Sequence, residues 1–200
     1  MGCADAPGPY GRRRDEDFKV PILNCAGRKT KQKLEIQIDE FNVKNIVFSS
    51  TAAVYGNPIH SPICENHPTQ PINPYGDSKL TIERLICNYS KCHDLNFVIL
   101  RYFNVSGSDF SNNLGEAHLP ETHLIPLALE AAHQNSIFKI YGDNYQTTDG
   151  TCIRDFIHVK DLGNAHLLSF EKLNSSKVNQ IINVGGGKGY TVYEIFKYVK

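Results

Sequence analysis

The stretch "NPYGDSKL", residues 73–80, sets a phenol and an ammonium one helical turn apart, at Tyr75 and Lys79. Residues i and i+4 on a helix are neighbours, about 5–6 Å apart at Cβ. A lysine at that distance favours the negative phenolate over the neutral phenol, and a phenolate is a general base for a hydroxyl proton. A Tyr-x-x-x-Lys pair taken alone is a weak signal, better read as a surface helix pair. Its context strengthens it, because "FSSTAAVYG" places the hydroxyl of Thr51 just after an apolar run, in front of the pair in the chain. If that run is a parallel strand, its C-terminal end points into the ligand crevice of the sheet. Thr51 could then hydrogen-bond the oxygen that Tyr75 deprotonates.

The surrounding pattern supplies the elements that such a site needs. "KNIVFSS" reads as a short buried strand. In "DSKLTIERLICNYSKC", Leu85, Ile86 and Tyr89 follow Ile82 at +3, +4 and +7, which is one face of an amphipathic helix. "NFVILRYF" is a near-continuous apolar strand. Strand, helix and strand with fully apolar strands predict a parallel sheet covered by helices, an α/β fold. A Gly/Ser/Asn-rich loop is expected over 106–116. "ETHLIPLALEAAH" reads as a helix with Pro126 in its first turn, and "SIFKIYG" as a short strand. "FIHV" is predicted to be a strand, "KDLGNAHLLSFEKL" a helix, and "QIINVGGGKGYTVYEIFKYV" a strand, a glycine loop and a helix. Thr191 and Glu194 have the spacing of a capping box that starts this last helix. The glycine loop at 185–189 fits neither G-x-x-x-x-G-K-[ST] nor G-x-G-x-x-G, since position 190 is Tyr, so a tight strand-to-helix turn is the better reading.

Composition narrows the class. The chain has 200 residues, 40% of them hydrophobic and 21% charged, as in a soluble globular protein. Twenty-one basic residues balance twenty-one acidic ones, which argues against nucleic acid or an anionic membrane as partner. No apolar run is long enough for a membrane span or a secretory signal. Met1-Gly2-Cys3 begins like a lipidated terminus, but Ala6 stands where a myristoylation signal has Ser or Thr. The six cysteines are dispersed without a Cys-x-x-Cys pair, consistent with reduced thiols in the cytoplasm. His118 and His123 flank Glu121 without a recognised metal spacing, so no metal is expected. "GPYGRRRDEDFK" and "GRKTKQK" lack periodicity and read as loop or disordered.

Six blocks carry a family resemblance: "FSSTAAVYGNP", "NPYGDSKL", "LRYFNVSG", "PETHLIPLALEAA", "IYGDNYQTTDGTCIRDFIHVKDL" and "INVGGGKGYTV". In this order, from about residue 39 to residue 200, they resemble the UDP-glucose 4-epimerase family, a branch of the extended short-chain dehydrogenases/reductases. The resemblance implies a Rossmann-type doubly wound parallel sheet that binds NAD, a smaller sugar-nucleotide domain, and a UDP-sugar substrate in the cleft between them. It implies an enzyme of galactose metabolism that oxidises C4 transiently, and a tendency to homodimerise. Tyr75 would take the 4-hydroxyl proton, Thr51 would share its hydrogen bond, and Lys79 would bond the nicotinamide ribose. Phe103 would lie by the nicotinamide, and Asn104 and Arg154 would hold the diphosphate. His123 and Leu124 would contact the uridine nucleotide, with His123 standing where some relatives have Asn. Lys139, Ile140 and Tyr141 would line the uracil end. Related 4,6-dehydratases carry Asp-Glu after the threonine. Ala52-Ala53 stand there in this chain, which rejects that reaction.

The family begins with a strand and a glycine-rich turn that cradles the NAD pyrophosphate. No such motif stands here; "NCAG" at 24–27 is a faint echo of a later block. The expectation is therefore an epimerase truncated at both ends. Residues 1–38 would be an atypical or foreign segment, 39–105 the second half of the NAD-binding domain, and 106–200 incomplete sugar-nucleotide-binding segments. The alternatives are a catalytically inactive fragment without a complete NAD site, and an oxidoreductase acting on another sugar nucleotide.

Overall fold

The computed structural model describes residues 37–109, 111, 113–117 and 119–199. The charged and basic stretches near the start, "NCAG", Cys3, Cys25 and His118 lie outside them. The chain divides into two units, 1–44 and 45–200. The described part of the first contains a helical turn over 37–40, closed by the Phe41 N–H on the Gln37 carbonyl at 3.0 Å.

The second unit is built on a parallel sheet. Strands β1 (Asn45–Thr51), β2 (Asn96–Tyr102) and β5 (Asn179–Val184) lie in the order β1-β2-β5. β1 and β2 pair from Asn45 opposite Asn96 to Thr51 opposite Tyr102. β2 runs apolar through Phe97, Val98, Ile99 and Leu100, all buried, because both of its faces are covered. Helix α1 (Pro74–Cys92) turns Leu80, Ile82 and Ile86 inwards. Helix α3 (Val159–Ser175) brings Ala165 and Leu173 against Val98 and Leu100. Burying each such side chain contributes about 1.5–3 kcal/mol.

A second sheet, in the order β3-β4-β6, joins β3 (Asn104–Ser106) in parallel to β4 (Ile153–His158), which pairs antiparallel with β6 (Gly189–Thr191). Helix α2 (Leu124–His133), with Pro126 in its first turn, lies between β3 and β4 in the chain, and α4 (Val192–Val199) follows β6. The capping box is formed: Thr191 N–H donates to Glu194 Oε2 at 2.8 Å, and Glu194 N–H to Thr191 Oγ1 at 3.1 Å.

Two local expectations are corrected. Residues 136–142 form no strand: Ile137 is 87% and Tyr141 84% exposed, and no neighbouring strand among the described residues offers the run a ladder. The glycine loop is not a bare strand-to-helix turn, because β6 stands between it and α4. Its amides are already engaged: Gly186 and Gly187 N–H donate to the Asp155 carboxylate at 2.8 and 3.1 Å.

Between α1 and the parallel sheet lies a buried polar network. Arg101 on β2 reaches Glu83 on α1 through Nε, at 3.1 Å to both carboxylate oxygens, and through a second nitrogen at 2.5 Å. Arg101 also donates to the Tyr55 hydroxyl at 3.0 Å, which donates to Asn183 Oδ1 at 2.6 Å. Burial works against the Arg101 charge, but the hydrogen bonds from Glu83 and Tyr55 more than offset it and hold the guanidinium charged. Burial, partly countered by Arg101, pushes the Tyr55 phenol up.

Candidate active site

The start of α1 fixes the phenol. Asn73 caps the helix, its side chain accepting the Gly76 N–H at 2.8 Å, and Pro74 takes the first helical position. Gly76 allows a close approach: a Cβ there would lie 2.6 Å from the Ala53 carbonyl oxygen, so a side chain would push α1 away from the 3₁₀ turn Ala52–Tyr55. That turn begins at Thr51, whose Oγ1 accepts the Ala53 N–H at 3.1 Å. Two locally capped turns thus bring the end of β1 and the start of α1 to one place. Tyr75 is 52% exposed there, while Thr51 is buried.

Lys79 stands one turn further along. Its ammonium donates to the Ser49 carbonyl at 2.9 Å and lies 5.8 Å from the centre of the Tyr75 ring and 5.2 Å from that of Phe48. The Ser49 hydroxyl meets His166 Nε2 at 2.7 Å, and His166 Nδ1 lies 2.9 Å from the Leu162 carbonyl. A carbonyl only accepts, so Nδ1 carries the proton and Nε2 accepts from Ser49. This bond ties β1 to α3 on the opposite side of the sheet from α1.

Thr51 and Tyr75 open into a cavity of about 950 Å³, of the size that takes a drug-sized or larger ligand. Phe103, Asn104, His123, Leu124 and Arg154 line the same cavity. Asn104 is held by its amide, which donates to the Asp155 carbonyl at 2.8 Å. Arg154 donates within the protein to the Ile153 carbonyl, at 3.3 Å, while the neighbouring Asp155 carboxylate is occupied by the glycine loop. Phe103 backs onto that loop, where a Cβ at Gly185 would lie 2.9 Å from its ring. Lys79 stands behind the wall and not in the lining, and Lys139, Ile140 and Tyr141 lie outside it.

The cavity also contains residues that the sequence did not single out. Tyr102 ends β2 directly opposite Thr51, and its signal was present, since the ends of adjacent parallel strands share one crevice. Burial first, and then the nearby Tyr75, push the Tyr102 phenol up, with a hydrogen bond between it and Ser49 opposing. Glu116 reaches the cavity from the loop and pairs with His123, and Glu121 lies 3.4 Å from His123. The sequence set Glu121 beside His123, but nothing in it signalled that Glu116 would join them. Cys64, Cys87, Cys92 and Cys152 are free thiols. Burial, with Glu83 adding, pushes the Cys87 thiol up and away from the reactive thiolate.

A parallel α/β sheet, with a threonine at one strand end and a tyrosine and a lysine on the next helix, defines a Rossmann-type protein. The comparisons name the family: the NAD dependent epimerase/dehydratase family model matches residues 29–185, and the chain belongs to that family. The match begins upstream of the regular pattern visible from residue 39. A curated UDP-glucose 4-epimerase from Halalkalibacterium halodurans is 50% identical over 187 residues, covering 91% of this chain and 55% of that protein. The crystal structure of UDP-glucose 4-epimerase from Brucella ovis in complex with NAD superposes with a TM-score of 0.78 at 45% identity, over 84% of this chain and 52% of that one. The enzyme from Bifidobacterium longum in complex with NAD⁺ and UDP gives 0.74 at 38% identity, over 82% and 50%. The chain spans about half the length of these relatives.

Proposed function

We propose that this chain carries the proton-transfer centre and part of the substrate cavity of an NAD-dependent 4-epimerase of UDP-sugars. One observation carries the reading: Thr51 and Tyr75 share one cavity wall, with Lys79 a helical turn behind the phenol and anchored on the Ser49 carbonyl. The relatives named above, one of them holding NAD⁺ and UDP, support it.

The residues present fit the nicotinamide end of the dinucleotide. In the lining Tyr75 offers a hydroxyl and Phe103 an apolar face, with Lys79 bonded to the Ser49 carbonyl behind the phenol. Bound NAD⁺ would supply the acceptor and later donor of a hydride at C4. Tyr75 takes the proton of the 4-hydroxyl, and Thr51 hydrogen-bonds the same oxygen. Lys79 holds the ring's side of the helix to β1 through the Ser49 carbonyl. The ketone that oxidation leaves is neutral at C4, so the sugar can turn in the cavity while its anchored end stays fixed. Tyr75 then returns its proton to the C4 oxygen, while the hydride would come back to the opposite face of C4. Arg154 presents a planar fork to diphosphate oxygens, and Asn104 an amide beside it. His123 and Leu124 lie where the nucleoside would extend. Ala52 and Ala53 after Thr51 offer no group to protonate a leaving 6-hydroxyl, which separates epimerisation from dehydration. The same reading places the protein in cytoplasmic galactose metabolism as a homodimer.

The test is turnover of UDP-galactose to UDP-glucose by the purified chain with added NAD⁺, beside Tyr75→Phe. The expected result is conversion without net NADH, reduced about 10²–10⁴-fold in Tyr75→Phe. No conversion and no retained NAD in the unsubstituted chain would sink the reading in favour of an inactive fragment. Accumulating NADH would favour a net oxidoreductase.

A further inference from the structure

Tyr75, Lys79 and Glu83 stand at successive i+4 positions on α1, so they form one stripe along the helix. The stripe begins at the cavity with a half-exposed phenol and ends in the core with a carboxylate 2% exposed. Ser50, wholly buried on β1 next to Thr51, donates its hydroxyl to Glu83 Oε1. Arg101 on β2 clamps both oxygens of the same carboxylate. Glu83 therefore fixes α1 to two strands at once, by directional bonds that tolerate neither rotation nor sliding of the helix. One turn away, the Lys79 ammonium bonds the carbonyl of Ser49. The pins on β1, at Ser49 and Ser50, immediately precede Thr51. Apolar packing of Leu80, Ile82 and Ile86 holds the helix against the sheet but sets its axial position less sharply.

We infer that Ser50, Glu83 and Arg101 are positioning residues that set the axial and rotational register of α1 on β1, and so place Lys79 and Tyr75 opposite Thr51. None of them lines the cavity. The inference rests on the reading of Thr51, Tyr75 and Lys79 as the proton-transfer set, so the experiment has one arm that needs no turnover.

Two variants are used. Ser50→Ala removes only the β1 pin and leaves the ion pair. Glu83→Met/Arg101→Leu removes both charges together, which avoids stranding either one in the core. In the first arm, acetylation of Lys79 by an N-hydroxysuccinimide acetate is followed by peptide mass spectrometry, normalised to Lys177, whose side chain is 81% exposed. Amide exchange in β2 reports the intact core. The expected result is Lys79 labelling raised at least about threefold in both variants with β2 exchange unchanged, because a loosened register frees the ammonium from Ser49. Unchanged Lys79 labelling in both variants overturns the inference. So does a rise matched by β2 exchange, which would make the network a stability element only. In the second arm, kcat for UDP-galactose is expected to fall about tenfold with KM within twofold, the mark of an interaction felt in the transition state. A variant that labels Lys79 faster and keeps its full kcat also overturns it. If the unsubstituted chain turns nothing over, the functional reading fails, and the labelling arm still decides the register.

Discussion

Arg154 lines the cavity, and the proposed reading gives its guanidinium a diphosphate to hold. Asp155 accepts two backbone N–H bonds from the glycine loop, and Arg154 donates to the Ile153 carbonyl. A lysine would keep the charge and lose the bidentate fork. Arg154→Lys is expected to weaken UDP binding about tenfold by titration calorimetry, with little change in melting temperature. At this scale the sequence was informative where a side chain must be of one chemical type. Thr51, Tyr75, Phe103, Asn104, His123, Leu124 and Arg154 all open into one cavity. It was silent where position depends on distant contacts. Glu116 reaches His123 only because the loop folds back, and 139–141 lie away from the cavity because their run finds no strand to pair with.

At the scale of elements, period and caps were legible. The apolar face of α1, the continuous apolar run of β2, Pro126 in the first turn of α2 and the Thr191–Glu194 box all stand as the residues imply. Short strands were not legible, because β3 and β6 are three residues each and exist through their pairing with β4 and not through any pattern of their own. The start of α1 supplies the prediction proper to this scale. Asn73→Ala removes the cap and should cost about 1 kcal/mol in urea unfolding. Gly76→Ala leaves the cap but sets a methyl against the Ala53 carbonyl, so it should displace the helix start. A Gly76→Ala chain as stable and as active as the unsubstituted one would show that this approach has slack.

Over the whole molecule, residues far apart in the chain meet through a few side-chain ties that spacing does not announce. Asp149 is one. Its carboxylate accepts the Thr191 hydroxyl at 2.5 Å, and the Thr151 hydroxyl and N–H at 2.7 and 2.9 Å. It thereby ties the turn before β4 to the threonine that caps α4. The Thr191 hydrogen bond first, and those of Thr151 next, hold its carboxyl below the ordinary value of 3.8. A carboxyl lowered in the folded state adds stability that is fully present above the unfolded value, and that is lost as pH falls through the folded one. The tie should therefore be intact at neutral pH and released only in acid, below about pH 4. Amide protection across β4, β6 and α4, taken relative to the intrinsic exchange rate at each pH, is expected to fall on acidification through that window. Asp149→Asn keeps an acceptor but no charge, and should show faster exchange there already at neutral pH, with a flatter acid dependence. An Asp149→Asn chain whose acid profile matches the unsubstituted one would assign the acid response to other carboxylates.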